Sequence, residues 1–315
     1  MKILHIALAS LTLAFAGITA VPAADPPAAA KADAKQRTFA SAEAAATALT
    51  DAVRAKDVKA IVAIVGPGSG SWLFTGDKVA DANDWRRFLS AYEAGHALET
   101  EGDKTVLTVG EDKWPFPAPI VKHGDKWAFD ASAGHEELLN RRVGRNELDA
   151  IQTMLAIVDA EREYAQMDPD KSGSADYARR FKSSPGKKDG LYWPEQPGSP
   201  QSPLGPLVAV ATSEGYGKQK PKAGERQPYH GYFYKILTSQ GPDAPGGAYD
   251  YLVGDKLMGG FAVIAWPANY GVSGITSFLV NHDGVVYEKD LGKQTGSIAS
   301  ATTRFNPDAT WRKAQ

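Results

Sequence analysis

The sequence predicts an α+β protein of two domains. A helix-covered, bent antiparallel sheet is expected over residues 38–143, and a long helix packed on a second antiparallel sheet over 144–315. Three observations predict this. Helix-period apolar spacing runs from Ser41 to Tyr92 and then gives way to short β-rich runs. A second amphipathic pattern starts at Asn146. Residues 246–292 hold clusters of β-formers, such as Phe261, Val263 and Ile264 or Phe278, Leu279 and Val280, separated by turn pairs including Gly254-Asp255 and Asp283-Gly284.

Residues 1–23 read as a secretory signal peptide. Lys2 precedes an apolar run from Ile3 to Ile18, and Ala20, Ala23 and Ala24 supply the small residues that cleavage after Ala20 or Ala23 needs. The run is shorter than the roughly 20 residues of a membrane span. No later segment is apolar enough, so the mature chain is expected to be periplasmic or secreted, with no transmembrane segment. Residues 24–37 are Ala, Pro and Lys without periodicity and read as a disordered linker.

In the first domain, Ser41 can cap a helix through Ala44, Ala48, Leu49, Ala52 and Val53, and Lys56-Asp57 opens a second with Val58, Ile61, Val62 and Val65. The glycines between Gly66 and Gly70 end it. Trp85, Phe88, Leu89 and Tyr92 keep helical spacing behind the cap candidates Asp81 and Asn83. Strands are expected over 97–101, 105–109, 120–121 and 126–130, the last two joined at His123-Gly124-Asp125. In the second domain, Asn146 with Asp149 is expected to cap a helix whose stripe is Leu148, Ile151, Leu155, Val158 and Ala165, widened by Met154 and Ile157. Residues 183–228 should be long loops with short pieces at Leu191-Tyr192-Trp193 and 207–211. Strands begin at Tyr232, and in the tail 306–315 only Trp311 is expected to dock.

Composition excludes several functions. A net charge of −2 lacks the basic face that phosphate neutralisation needs, so nucleic acid is not an expected partner. The chain has no cysteine, which removes disulfides, thiolate metal sites, thiol catalysis and a lipid-anchored terminus.

Few residues suggest chemistry, and no catalytic residue is assigned. Asp168, Asp170, Ser172 and Asp176 stand at alternating places around Gly173, which is the spacing of a calcium loop. Arg179 replaces the closing carboxylate, so the loop is a weak calcium candidate beside the simpler reading of a helix terminus and an Asp/Gly turn. No other cofactor is expected. His135-Glu136-Glu137 lacks the second histidine of a zincin helix, because position 139 is Leu. Ser184 and Lys187 have acyl-enzyme spacing, but Pro185 and Gly186 break the turn that would bring them together. In the first domain Trp85, Tyr92, Trp114, Trp127 and Phe129 are the candidate lining of a ligand pocket.

The strings GEDKWPFPAPIV at 110–121, LLNRRVGRNELDAI at 138–151, KDGLYW at 188–193, SPLGPLVA at 202–209 and PYHGYFYKILTSQGP at 228–242 resemble the bacterial domain-of-unknown-function family 2950. The resemblance covers roughly 38–312 and implies an exported, uncharacterised protein without an assigned activity. Residues 38–143, with the turn HGDKWAFD at 123–130, are also similar to nuclear-transport-factor-2-like domains. Residues 144–305 resemble the globular part of type IV pilins and pseudopilins. Charges at Asp149, Asp159, Glu161, Arg162 and Glu163 depart from the apolar helix a pilus subunit needs.

The expected function is therefore that of an exported, non-catalytic protein that binds a protein or cell-envelope component. The alternative is a small-molecule binder or hydrolase using a cavity in 38–143. A closed core at the five aromatics would favour the first, and an open cone with a polar group at its base the second.

Overall fold

The helix starts of the N-terminal half follow from its capping residues. In the computed structural model, which describes residues 36–169, 171, 173–218 and 226–314, α1 (Ala42–Arg54) begins where the Ser41 hydroxyl accepts the Ala44 amide at 3.1 Å. α2 (Val58–Val65) begins where Asp57 accepts the Ala60 amide at 3.0 Å. Each cap satisfies a donor that helix geometry leaves without a partner, a contribution of about 1 kcal/mol. After the short α3 (Gly70–Leu73), α4 (Lys78–Ala94) is capped by Asp77, which accepts from Val79 and Ala80. The helix thus starts a turn before the expected Asp81 and Asn83, and Asp81 is left for a tertiary role.

Five strands follow: β1 (His96–Glu101), β2 (Lys104–Val109), β3 (Trp114–Pro115), β4 (Ile120–His123) and β5 (Lys126–Phe129). They form one antiparallel sheet in the order β1-β2-β4-β5, with β3 also paired to β2. Thr105, Leu107 and Val109, every second residue of β2, are buried on one face, and Thr108 is covered on the other. They meet a core that includes Ala45, Leu49, Ile64 and Ile120.

The next element is α5 (Ala131–Met167), a single helix of 37 residues that would reach about 55 Å at 1.5 Å per residue. Asp130 caps it, accepting from Ser132 and Ala133. The helix runs unbroken through Val143, Gly144 and Arg145, where the sequence suggests a domain boundary. Asn146 is therefore not its cap; the side chain is buried and donates from Nδ2 to the Ser273 carbonyl at 2.9 Å. An interior glycine costs a helix about 1 kcal/mol, and contacts on both sides of Gly144 outweigh that cost. The buried face is also rotated from the expected stripe: Ala150, Thr153, Met154, Ile157, Val158, Glu161 and Tyr164 point inward, whereas Leu148 is 63% exposed.

The remaining chain contributes α6 (Gly205–Glu214), β6 (Tyr232–Leu237), β7 (Ser239–Gln240), β8 (Tyr249–Asp250), β9 (Leu252–Val253), β10 (Lys256–Leu257), β11 (Ala262–Pro267), β12 (Thr276–Asn281), β13 (Tyr287–Asp290), α7 (Thr295–Ala301) and β14 (Arg312–Lys313). The stretch 207–211, expected as a short piece between long loops, is part of helix α6, with Pro206 in its first turn and Gly215 ending it at φ 110°. The main sheet is antiparallel in the order β14-β13-β12-β11-β6. All six residues of β11 are buried, because α5 packs against the sheet there and α7 also meets β11. This double cover is why the strand reads as a continuous apolar run.

The fold is α+β, as expected. Its buried apolar residues form two clusters, one drawn from Phe39 through Phe129 and the other from Ala150 through Phe305, within one compact unit. Among the described residues no helix is long and apolar enough to cross a membrane. The expected signal peptide at 1–23, and the linker except for its last two residues, lie outside the described residues.

Candidate functional site

The N-terminal core does not close. A cavity of about 340 Å³ lies among α3, α4, α5 and the segment around β3, a volume within the range of small-molecule sites. Its walls are Trp72 and Leu73 of α3, Trp85 and Phe88 of α4, Trp114 of β3, and Phe116. The rings brace one another: Trp85 meets Phe88 edge to face at 6.1 Å, and Phe88 meets Phe116 at 5.2 Å. Behind Phe116, the first turn of α5 presses on Ala118. A Cβ at Gly134 would lie 2.6 Å from the Ala118 Cβ, so glycine is what permits this approach.

Two buried charges border this apolar space. Arg142 is 5% exposed; it donates from Nη1 to the Trp72 carbonyl and from Nη2 to the Leu73 carbonyl at 3.1 Å, while its Nε has no hydrogen-bond partner. Burial draws its pKa below the usual arginine value, partly countered by Asp81. Asp81 accepts from the Thr75 amide at 3.0 Å and from its hydroxyl at 2.9 Å. Burial raises the Asp81 pKa, and the Thr75 hydrogen bonds and Arg142 oppose that rise.

The cavity also carries exposed guanidinium groups. Arg87 and Arg145 both pair with Asp84, the latter at 2.9 Å. Arg141 donates to Glu137 at 2.6 Å and to the Pro115 carbonyl at 3.1 Å, and it lies 4.9 Å over the Trp114 ring.

Of the five aromatics expected to line a pocket, Trp85 and Trp114 do so. Tyr92 instead stacks on His96 at 3.8 Å. Trp127 bridges to Phe39, and Phe129 is buried against Phe116, with ring centres 5.9 Å apart. Sequence reasoning missed the arginines because it divided the chain at 143–145. Once the helix continues, Leu138, Arg141, Arg142 and Arg145 fall at the i, i+3, i+4, i+7 spacing of one face. That signal was present in LLNRRVGR.

The calcium-loop residues are only partly placed. Asp168 ends α5 in the left-handed region at φ 43° and accepts the Gly173 amide at 3.0 Å. Asp176 accepts from the Ser174 hydroxyl at 3.3 Å and lies 3.5 Å from the Lys256 ammonium. Asp170 and Ser172 lie outside the described residues. Among the described residues no group of three His, Asp or Glu side chains is arranged to hold a metal ion.

A polar network connects the two cores. Asp77 accepts the Tyr216 hydroxyl at 2.8 Å and the Gly231 amide at 3.1 Å. His230 lies between Asp149, 3.1 Å from Nδ1, and Glu214, 3.1 Å from Nε2. Burial lowers the imidazole pKa, but hydrogen bonds and charge from Asp149 and Glu214 outweigh it and leave the pKa above its ordinary value. Burial and the Asp77 carboxylate push the pKa of the Tyr216 phenol in this cluster well up.

The sequence model of one family, described as "Protein of unknown function (DUF2950)", matches residues 36–314. No curated protein and no solved structure matches the chain.

Proposed function

Because the chain belongs to the DUF2950 family, described only as of unknown function, its role has to be read from its own cavity, and we propose that it is an exported, non-catalytic binding protein that holds an apolar small molecule there. The observation that carries this reading is that the first core stays open between α4 and α5, with Asp81 and Arg142 buried beside the opening. Filled cores exclude water by interlocking side chains, so an aromatic-walled space of this size leaves favourable contacts unmade until a guest supplies them. The likeness of 38–143 to nuclear-transport-factor-2-like domains belongs to the same reading.

The test uses prodan, a neutral apolar fluorophore. Its emission should shift to the blue and saturate with protein, and Ala91→Trp, which fills the cavity from α4, should abolish the shift while the circular dichroism spectrum is kept. A shift that survives in the filled variant would place the dye elsewhere and reject the reading. Export is tested by the mass of the protein recovered from periplasm or medium, which should begin at Val21 or Ala24; an intact Met1 in membranes would refute it.

A second reading, binding of a protein or envelope component, is supported by the exposed Tyr249 of β8, Val253 of β9 and Met258, the residue after β10. Crosslinking from position 253 in intact cells should capture a partner, and Val253→Asp should lose it. Weak calcium binding at the loop of Asp168, Asp170, Ser172 and Asp176 is also proposed. Millimolar calcium should raise the melting midpoint of the wild type and leave Asp168→Ala unmoved; an unmoved wild type would leave a helix terminus and a turn.

A further inference from the structure

We infer that the guest of this cavity is an amphipathic acid, whose apolar body lies among Trp72, Trp85, Phe88 and Phe116 and whose carboxylate is held by Arg141 and Arg145. The inference rests on the cavity being a binding site and adds the chemistry of what it binds.

Charge counting around the site carries it. Asp84 alone serves two guanidinium groups, Arg145 at 2.9 Å and Arg87, so one positive charge there has no carboxylate of its own. The other two arginines do not cancel it: Arg142 is bound to two carbonyl oxygens, with Asp81 as its main compensating charge, and Arg141 has Glu137 at 2.6 Å. The low-dielectric aromatic walls focus the remaining positive potential into the opening. A cationic guest would be repelled there, and a neutral one would leave the field unused.

Geometry agrees with charge. Arg141 and Arg145 are one turn apart on α5 and both line the cavity. The Arg141 guanidinium already sits over the Trp114 ring at 4.9 Å and donates to the Pro115 carbonyl. A guanidinium already restrained by hydrogen bonds and an aromatic ring loses little freedom when it binds an oxyanion, and two parallel N–H donors fit a carboxylate. Arg145, only half-exposed and sharing Asp84 with Arg87, can exchange part of that pairing for a ligand oxygen.

The experiment is a tryptophan-fluorescence titration of the whole protein with three probes of one shape: phenylbutanoate, phenylbutanamide and phenylbutylamine. The acid should bind at least about tenfold tighter than the amide, the margin expected of a charge-assisted hydrogen bond, and the amine most weakly. The double variant Arg141→Gln, Arg145→Gln should bring the acid to the affinity of the amide and leave the amide where it was. Equal binding of acid and amide in the wild type would overturn the acid inference alone, since the cavity would still bind. Acid preference that survives in the double variant would overturn the assignment to these two arginines. If none of the three binds, the cavity reading falls and takes this inference with it.

Discussion

Glu161 is a carboxyl group surrounded by protein. It is fully buried on α5, its Oε2 accepts the Ala178 amide at 2.7 Å, and its Oε1 has no hydrogen-bond partner. Burial raises its pKa well above the ordinary glutamate value, against the smaller effect of the Ala178 amide, so the neutral acid is the form the fold holds. The sign of the pH dependence follows. The unfolded chain releases this proton near pH 4.5 while the folded chain keeps it, so the contribution to stability is full below that pH and is lost as pH rises through the folded value. Glu161→Gln keeps the acceptor for Ala178 and cannot ionise. Its melting midpoint should match the wild type near about pH 4 and exceed it at about pH 7. A variant that melts lower than the wild type at both would show that the carboxylate is ionised and paired. Nothing in the sequence marks Glu161 as buried, because a charged residue at helical spacing ordinarily faces water.

At the scale of elements, the caps of the first two helices were legible, and those of α4 and α5 were not. Ser41 and Asp57 start their helices as the residue types indicate, and the strand at 232–237 lies where its β-formers put it. These signals are local, so they can be read locally. The helix start expected at Asn146 is overturned: Gly144 and Asn146 imitate a helix end, and only the tertiary partners of Arg142 and Asn146 reveal that the helix continues. The network of Asp77, Tyr216 and His230 joins residues far apart in the chain and has no local signature. Tyr216→Phe removes a buried donor to Asp77 and the acceptor of the His230 amide, and should cost about 1–3 kcal/mol in denaturant unfolding. His230, with its pKa raised from 6.5, stabilises the fold fully below that pH and loses the effect as pH rises through the folded value. His230→Gln should therefore destabilise the protein at about pH 6 and flatten the decline toward about pH 9. An unchanged pH profile would mean the imidazole stays neutral between its two carboxylates.

For the whole molecule, the two apolar cores come from separate stretches of chain, whereas α5 and the polar network belong to both. We propose that residues 36–145 still fold alone, since the first core uses nothing beyond Leu139, but that the fragment is weaker than the intact protein. Asp77 would lose Tyr216 and Gly231 as donors, a change of about 2–4 kcal/mol. A dispersed amide spectrum with a lowered melting midpoint is the expected result, and a collapsed spectrum would show that α5 needs both cores. The cavity travels with this fragment, so the account can be tested on either form. The most direct measurement is crystallographic: crystals of the full protein are soaked with a brominated phenylalkanoic acid and the anomalous signal of bromine is located. The account predicts a bromine peak among Trp85, Phe88 and Phe116, with density for the carboxylate reaching Arg141 and Arg145. An empty cavity in crystals whose bromine sites all lie elsewhere would contradict it.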